Sequence, residues 1–388
     1  MSRVPTPSKT SPETSEQLRY ACAQAILGDP GPLLLLSHGE PQEQLIPFIT
    51  RHGVAALIYD TLTRTGVEEV PQTGVLHALQ RLTRLQAARS LMQEAELKTL
   101  DLALEKVAIP CLTLKGTPLA YNVYPSPALR ARADIDLLFD DADIILARRL
   151  LMELGYTCQP AVTPLAQSVY LTTQLTCTRC VEQQIRGVVD AHWRVSNSLI
   201  FANAFPFAEL EQTAVPVGSL DRVIRAPNLI HCLLIACFHR LTEPHRDRLL
   251  WTYDIHLLIE RLTPFELDRA LDIAIDRRLA SVLLDGLTTA RDTFQSAVEG
   301  ERLRRLEEAK TKTPEPAERF LKARNNLGRR VADFQSLSSW RRRLHMLGVT
   351  LFPPKSYLEL QGLRVDRVPL LWLHLQRWTQ GLKKPGSG

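Results

Sequence analysis

The stretch that most constrains this chain is seven residues long. In Ala133-Asp134-Ile135-Asp136-Leu137-Leu138-Phe139, apolar and acidic residues alternate with the period of two expected of a half-buried strand. Ile135, Leu137 and Phe139 take one face, toward a core, and Asp134 and Asp136 share the other. Two carboxylates at i and i+2 repel each other, a cost that a cation between them reverses. A hard divalent ion with oxygen ligands suits such a pair, magnesium first and manganese as a second choice.

A second stretch repeats the pattern. In Val189-Asp190-Ala191-His192-Trp193-Arg194-Val195 the odd positions are apolar, while Asp190, His192 and Arg194 fall together on the opposite face. If the two strands are neighbours, Asp190 becomes a third carboxylate of one site. Three carboxylates on adjacent strands hold two metal ions roughly 3.5–4 Å apart, the arrangement used for in-line phosphoryl transfer. Asp190 is also a candidate acceptor for the proton of an attacking hydroxyl.

The surroundings set the domain plan. Residues 1–16 are polar and rich in Pro, Ser and Thr and read as disordered. From 17 to 106 apolar residues recur at spacings of three and four, with Leu76, Leu79, Leu82 and Leu85 as one stripe continued by Leu91, Ala95 and Leu97, so a helical domain is expected. Residues 107–220 change character. Val107 to Leu114 reads as a strand ending at the corner Lys115-Gly116-Thr117, and the Asp134 strand begins 17 residues after Thr117. Asp140-Asp141 introduces a helix closed by Gly155, and Ser168–Thr178 and Ile185–Val195 read as further strands. Residues 221–382 return to helical periodicity, with a last helix near 367–382, and 383–388 read as a disordered tail.

Taken in order, Leu114-Lys115-Gly116-Thr117-Pro118-Leu119-Ala120, Tyr124-Pro125, Leu129-Arg130, Asp134-Ile135-Asp136-Leu137-Leu138 and Val189-Asp190-Ala191-His192-Trp193-Arg194 resemble the polymerase-beta-like nucleotidyltransferase superfamily. Within it the closest resemblance is to a bacterial group of uncharacterised nucleotidyltransferases. Trp251–Leu258 and Phe352–Tyr357 resemble C-terminal features of that group. The resemblance implies an α+β fold, a small mixed-sheet nucleotidyltransferase core between N-terminal and C-terminal helical domains. It implies Asp134, Asp136 and Asp190 as catalytic metal ligands for two magnesium ions. Lys115, Gly116, Thr117, Arg130 and Arg132 would hold the nucleoside triphosphate, and His192 and Arg194 are candidates for contact with the acceptor or a phosphate. The superfamily commonly has Gly-Ser at the corner; here Gly116-Thr117 follows Lys115, which keeps a hydroxyl and adds a charge.

The reaction so implied moves a nucleoside monophosphate, most simply AMP from ATP, onto a hydroxyl or phosphate of a small molecule, peptide or RNA, with release of pyrophosphate. Two other readings use the same residues: sugar transfer from a nucleotide-sugar to a peptide or small molecule, and a non-catalytic module that binds a nucleotide or RNA. The charge distribution bears on the partner. Residues 301–388 carry 19 Lys/Arg against 8 Asp/Glu, and the first 300 carry 28 against 34. A basic tail on an acidic body suits a phosphate-rich ligand.

Other features exclude function classes. The longest apolar stretch, Leu229–Phe238, is interrupted by His231 and is about half a membrane span, so no membrane partner is expected. Seven cysteines without a paired framework read as free thiols and, with no secretory signal after the N-terminus, as a cytoplasmic protein. Cys177 and Cys180 have zinc-ligand spacing but lack a second such pair, so a surface hairpin is expected there. His245-Arg246-Asp247 resembles a kinase catalytic loop, but Thr252 stands where that loop needs Asn.

Overall fold

The computed structural model describes residues 12–37, 42–66, 74–159, 172–218, 220–243, 248–323, 326–353 and 358. The helix expected near 367–382, the tail at 383–388 and His245-Arg246-Asp247 lie outside them. The described chain opens with α1 (Pro12–Leu27), α2 (Gly31–Leu36), α3 (Gln42–His52), α4 (Ala55–Arg64) and α5 (Gly74–Lys106). Helix α1 starts inside the segment expected to be disordered. Pro12 stands in its first position and Glu13 in its first turn, where a fixed φ and an acid both favour a helix N-terminus.

The expected leucine stripe of α5 is only partly buried. Leu79 and Leu97 are fully covered, whereas Leu85 and Leu91 are exposed. Each step of three residues advances only 300° around a helix, so a run at i, i+3, i+6 and i+9 winds off the face on which it began.

The sheet comes next. Its elements are β1 (Cys111–Thr113), α6 (Gly116–Asn122), β2 (Ile135–Leu138), α7 (Ile144–Glu153), β3 (Tyr156–Gln159), β4 (Gln174–Val181), β5 (Gln184–His192), α8 (Leu199–Ala202), α9 (Phe207–Gln212), β6 (Val215–Val217) and β7 (Leu220–Ala226). Among the described residues, seven strands run in the order β3-β4-β5-β2-β1-β7-β6, with β2 parallel to β5, β1 parallel to β7 and the other pairs antiparallel. The fold is thus a mixed α/β sheet flanked by N- and C-terminal helices. Only the last part of the expected Val107–Leu114 strand forms, because α5 runs on to Lys106 and Ala108 adopts a positive φ of 52°. Strands β3, β6 and β7 escape sequence reading: β3 and β6 are very short, and β7 (LDRVIRA) carries charges through its pattern.

Strands β4 and β5 form the hairpin expected at Cys177-Cys180, joined by Glu182 and Gln183, both at positive φ as a type I′ turn requires. The thiol expectation fails here. Cys158 of β3 lies directly across from Cys177 of β4, and the two form a disulfide. Cys180 stays exposed, and Cys22, Cys111, Cys232 and Cys237 are free and buried. Sequence spacing could not show that pair, because β3 itself was not legible.

The remaining helices are α10 (Leu229–Thr242), α11 (Leu249–Arg261), α12 (Pro264–Asp276), α13 (Ala280–Phe294), α14 (Gly300–Lys312), α15 (Pro316–Lys322), α16 (Asn326–Ser336) and α17 (Trp340–Leu351). Among the described residues no helix is long and apolar enough to cross a membrane. Among the described residues, two hydrophobic cores form. One lies between the sheet and the later half of α5 with α7, and takes in Ile135, Leu137, Phe139, Val189, Ala191 and Trp193, the apolar faces of both alternating stretches. The other joins the N-terminal helices to α10–α16 and reaches the opposite face of the sheet at Leu112 and Leu138. The polar faces of β2 and β5 therefore look toward the C-terminal helices.

Candidate active site

Register decides what the two polar faces make. Parallel pairing sets Ile135 opposite Val189, Asp136 opposite Asp190 and Leu138 opposite His192. Asp136 and Asp190 thus stand side by side on neighbouring strands, and His192 follows Asp190 on the same face. The ligand-capable atoms of Asp136, Asp190 and His192 all lie within 4.8 Å of one another. Asp134 shares the face, but it is not one of that tight group.

Lys115 completes the cluster from the strand-to-helix corner. Its backbone takes φ 53° and ψ −114° at the head of α6, a conformation that non-glycine residues rarely adopt and that tertiary contacts must sustain. Its ammonium Nζ donates to Asp136 Oδ1 at 2.6 Å and lies 3.5 Å from His192 Nε2. His192 Nε2 is 2.8 Å from the same Oδ1. A lone pair there would face a carboxylate oxygen, so Nε2 carries the proton and donates it. Asp190 is held by uncharged donors, Gln174 Nε2 at 2.8 Å and Thr176 Oγ1 at 2.7 Å, both from β4.

The electrostatics follow from these contacts. Burial alone would raise the Asp136 pKa, but the Lys115 ammonium and the His192 hydrogen bond hold it well below the usual carboxylate range. Asp134 has no such clamp: burial, with the charges of Asp136 and Asp190, pushes it up to about 7. Burial and the Lys115 charge keep His192 neutral. Burial likewise brings His239 of α10, next to the cluster, down to about 3. In this state the lysine does the charge compensation that a metal ion would do.

The cluster fits a divalent cation. Two carboxylates and a neutral imidazole are an oxygen-and-nitrogen donor set suited to magnesium or manganese, the imidazole tilting it toward manganese. Two buried polar atoms also lack a hydrogen-bond partner here, His192 Nδ1 and Thr117 Oγ1. Buried polar atoms are rarely left so without a ligand or water to satisfy them.

The other expected residues divide. Gly116 and Thr117 form the first turn of α6 beside Lys115. A Cβ on Gly116 would come within 2.5 Å of Arg130 Nη1 and 3.1 Å of Arg132 Cγ, so the glycine makes room for two arginines. Arg130 is buried and turned to Asp254 of α11, with Nε to Oδ1 at 3.1 Å and Nη2 to Oδ2 at 2.5 Å. Tyr124 donates to the same carboxylate at 2.7 Å. Arg132 is buried too; it donates to Ser90 Oγ at 3.1 Å and lies 5.1 Å above the Tyr121 ring. Arg194 lies past the end of β5, paired with Asp141 rather than with the cluster. Among the described residues, the structure therefore gathers Lys115, Asp136, Asp190 and His192, with Asp134 and Thr117 nearby. Arg130 and Arg132 form the packing beneath them.

Above the cluster is a cleft of about 290 Å³. Lys115 and His192 line its floor, with Ser196, Asn197 and Ser198 at one side. Helix α10 contributes His239 and Glu243, and α16 contributes Arg329, Arg330 and Asp333. Sequence reading singled out none of the α16 residues, nor the Gln174 and Thr176 that orient Asp190. Gln174 and Thr176 alternate on one face of β4, a signal that acquires meaning only once β4 is known to pair with β5.

The sequence model described as uncharacterised nucleotidyltransferase matches residues 38–295, about two thirds of the chain. This protein belongs to that family. It is a transferase of phosphorus-containing groups, and its Asp-Asp-His cluster fits a metal-dependent one. No curated protein matches the chain. The match takes in α3 to α13 and every residue of the cluster, but stops short of α16.

Proposed function

We propose that the protein transfers a nucleoside monophosphate, AMP from ATP in the simplest case, to a hydroxyl or phosphate of an acceptor with release of pyrophosphate. The observation that carries this reading is the register of β2 on β5, which sets Asp136 beside Asp190 on the face that carries His192, a residue of the cleft floor. Asp136, Asp190 and His192 would hold the divalent ion, with Asp134 as a further carboxylate. A bound divalent ion would supply positive charge against the phosphoryl oxygens and the leaving pyrophosphate.

The chain's own residues account for the rest. Lys115, released from Asp136 when another cation compensates that carboxylate, has its ammonium free for the triphosphate. Gly116 and Thr117 offer the first backbone amides of α6 and a buried hydroxyl beside it. Gln174 and Thr176 fix the Asp190 carboxylate, which accepts the proton as the acceptor oxygen bonds to the α-phosphorus. The bond from that phosphorus to the bridging oxygen then breaks and pyrophosphate leaves. Positioning and electrostatics carry such reactions more than covalent chemistry does.

Asp190→Asn is the sharpest test, since this side chain is half-exposed and outside the Lys115–Asp136 ion pair. Metal-dependent pyrophosphate release from a nucleoside triphosphate should fall at least about 100-fold, with the thermal midpoint unchanged. Calorimetric titration with manganese and ATP should show weakened binding as well. Undiminished turnover and binding in a folded Asp190→Asn protein would overturn the proposal.

A further inference from the structure

We infer that Arg330, supported by Arg329, forms an anion subsite in the outer wall of the cleft that takes a phosphate group carried by the acceptor. The inference rests on the reading of this cleft as the site of nucleotidyl transfer and names the class of acceptor that reading leaves open.

Charge across the cleft is uneven. At the floor, the Lys115 cation is spent on Asp136 at 2.6 Å. The outer wall carries two more cations, both from α16. Arg329 is held in place: its Nη1 donates to the Thr242 carbonyl at 3.3 Å and its guanidinium lies 5.4 Å above the Phe320 ring. Arg330 is exposed and, among the described residues, makes no hydrogen bond or ion pair. Two carboxylates share the wall, and Asp333 feels the charge of Arg330. Asp333 Oδ1 accepts from Ser198 Oγ at 2.9 Å and from the Ile200 amide at 3.1 Å, which closes the start of α8. Glu243 is in the wall too, 3.7 Å from His239 Nδ1, and burial raises its pKa against the pull of the Lys115 and Arg329 charges. The wall facing the cluster therefore presents, in Arg330, a guanidinium with hydrogen-bond donors to spare. A planar guanidinium matches phosphate oxygens in geometry as well as charge.

Two sources of phosphate fit that chemistry, the triphosphate tail of the nucleotide and a phosphate on the acceptor. The acceptor is favoured by position. The corner at Lys115-Gly116-Thr117, with its buried unpartnered hydroxyl, sits at the floor beside the cluster and suits the triphosphate. Helix α16 stands across the cleft and lies beyond residue 295, where the family match ends. A wall outside the shared part of the chain is where recognition of this protein's own substrate belongs.

The test uses the full chain, as wild type, Arg330→Gln and Arg330→Glu, with Arg341→Gln on α17 as a control outside the cleft. Glycerol 3-phosphate is titrated against each and followed by ligand-observed proton NMR, with glycerol as the neutral comparison. Manganese and ATP are titrated separately by calorimetry. Wild type should bind glycerol 3-phosphate, Arg330→Gln should weaken it about tenfold, Arg330→Glu should abolish it, and Arg341→Gln should leave it alone. Nucleotide affinity should stay within about twofold throughout. Loss of nucleotide affinity in Arg330→Gln would assign the arginine to the triphosphate and overturn the inference. So would equal binding of glycerol 3-phosphate by all four proteins, or no binding by wild type. If glycerol 3-phosphate binds as expected while no protein takes up nucleotide, the anion subsite stands and the nucleotidyl-transfer reading falls.

Discussion

The floor and the wall of the cleft are built by different rules. His192 of the floor and the carboxylates beside it come from 59 consecutive positions, Asp134 to His192, and face one way because side chains alternate along strands. The wall comes from α10 and α16, nearly a hundred residues apart at their centres, and nothing in their local pattern marks the side that meets the floor. The energetics differ as well. Asp136 is buried and clamped by Lys115 and His192, whereas Arg330 in the wall is open to solvent. Removing a partner from a buried pair leaves an uncompensated charge, and an exposed charge costs little to remove.

Three measurements would break or sharpen that contrast. The largest effect is expected at Arg130, which lies under the floor and pairs with Asp254 of the C-terminal helices. Arg130→Met should cost about 3–5 kcal/mol in denaturant unfolding, because Asp254 would be left buried and unpaired. Arg330→Ala should change stability by no more than about 0.5 kcal/mol. Equal losses at the two arginines would erase the distinction between a structural cation and a ligand-facing one.

A smaller cost is expected at the corner. Gly116→Ala drives a methyl to within 2.5 Å of Arg130 Nη1, and the arginine cannot retreat without loosening Asp254. A loss of about 1–3 kcal/mol should appear by the same measurement. A neutral substitution would mean that the contact between floor and packing layer is slack.

The smallest effect belongs to Asp134 and depends on pH. Its pKa of about 7 in the folded protein lies above the ordinary aspartate value of 3.8. Between those values the folded state holds a proton that the unfolded state has lost, so stability falls as pH rises through the window and levels off above 7. With divalent ions chelated, Asp134→Asn should therefore raise stability at pH 8 by about 1 kcal/mol, a gain that shrinks toward pH 5. Manganese should remove or invert the gain, since a cation favours the ionised carboxylate. A gain independent of pH and metal would separate Asp134 from the cluster.

Much of the site is legible in the order of residues along the chain. Alternation gives the shared faces of Asp134 with Asp136 and of Asp190 with His192, and the corner at Lys115-Gly116-Thr117 falls where β1 gives way to α6. Part of the role assignment is not legible there. Arg130 and Arg132 carry a charge that suits phosphate, yet both are buried against protein partners, and Arg130's partner, Asp254, lies 124 residues away. His192 is a candidate for substrate contact by its residue type and proves to sit against Asp136, a matter of register. The pairing of Cys158 with Cys177 is hidden for the same reason, since β3 is only four residues long.

What the sequence determined by itself was local: which residues alternate, where a strand turns into a helix, and which side chains carry charge. Those follow from backbone geometry over a few residues, which needs no knowledge of the rest of the chain. What the tertiary structure decided was every relation between distant segments: Asp136 beside Asp190, Lys115 against both Asp136 and His192, Arg130 turned to Asp254, and α16 across from the cluster. These are set by how two hydrophobic cores close on opposite faces of one sheet, and that packing depends on the whole chain at once.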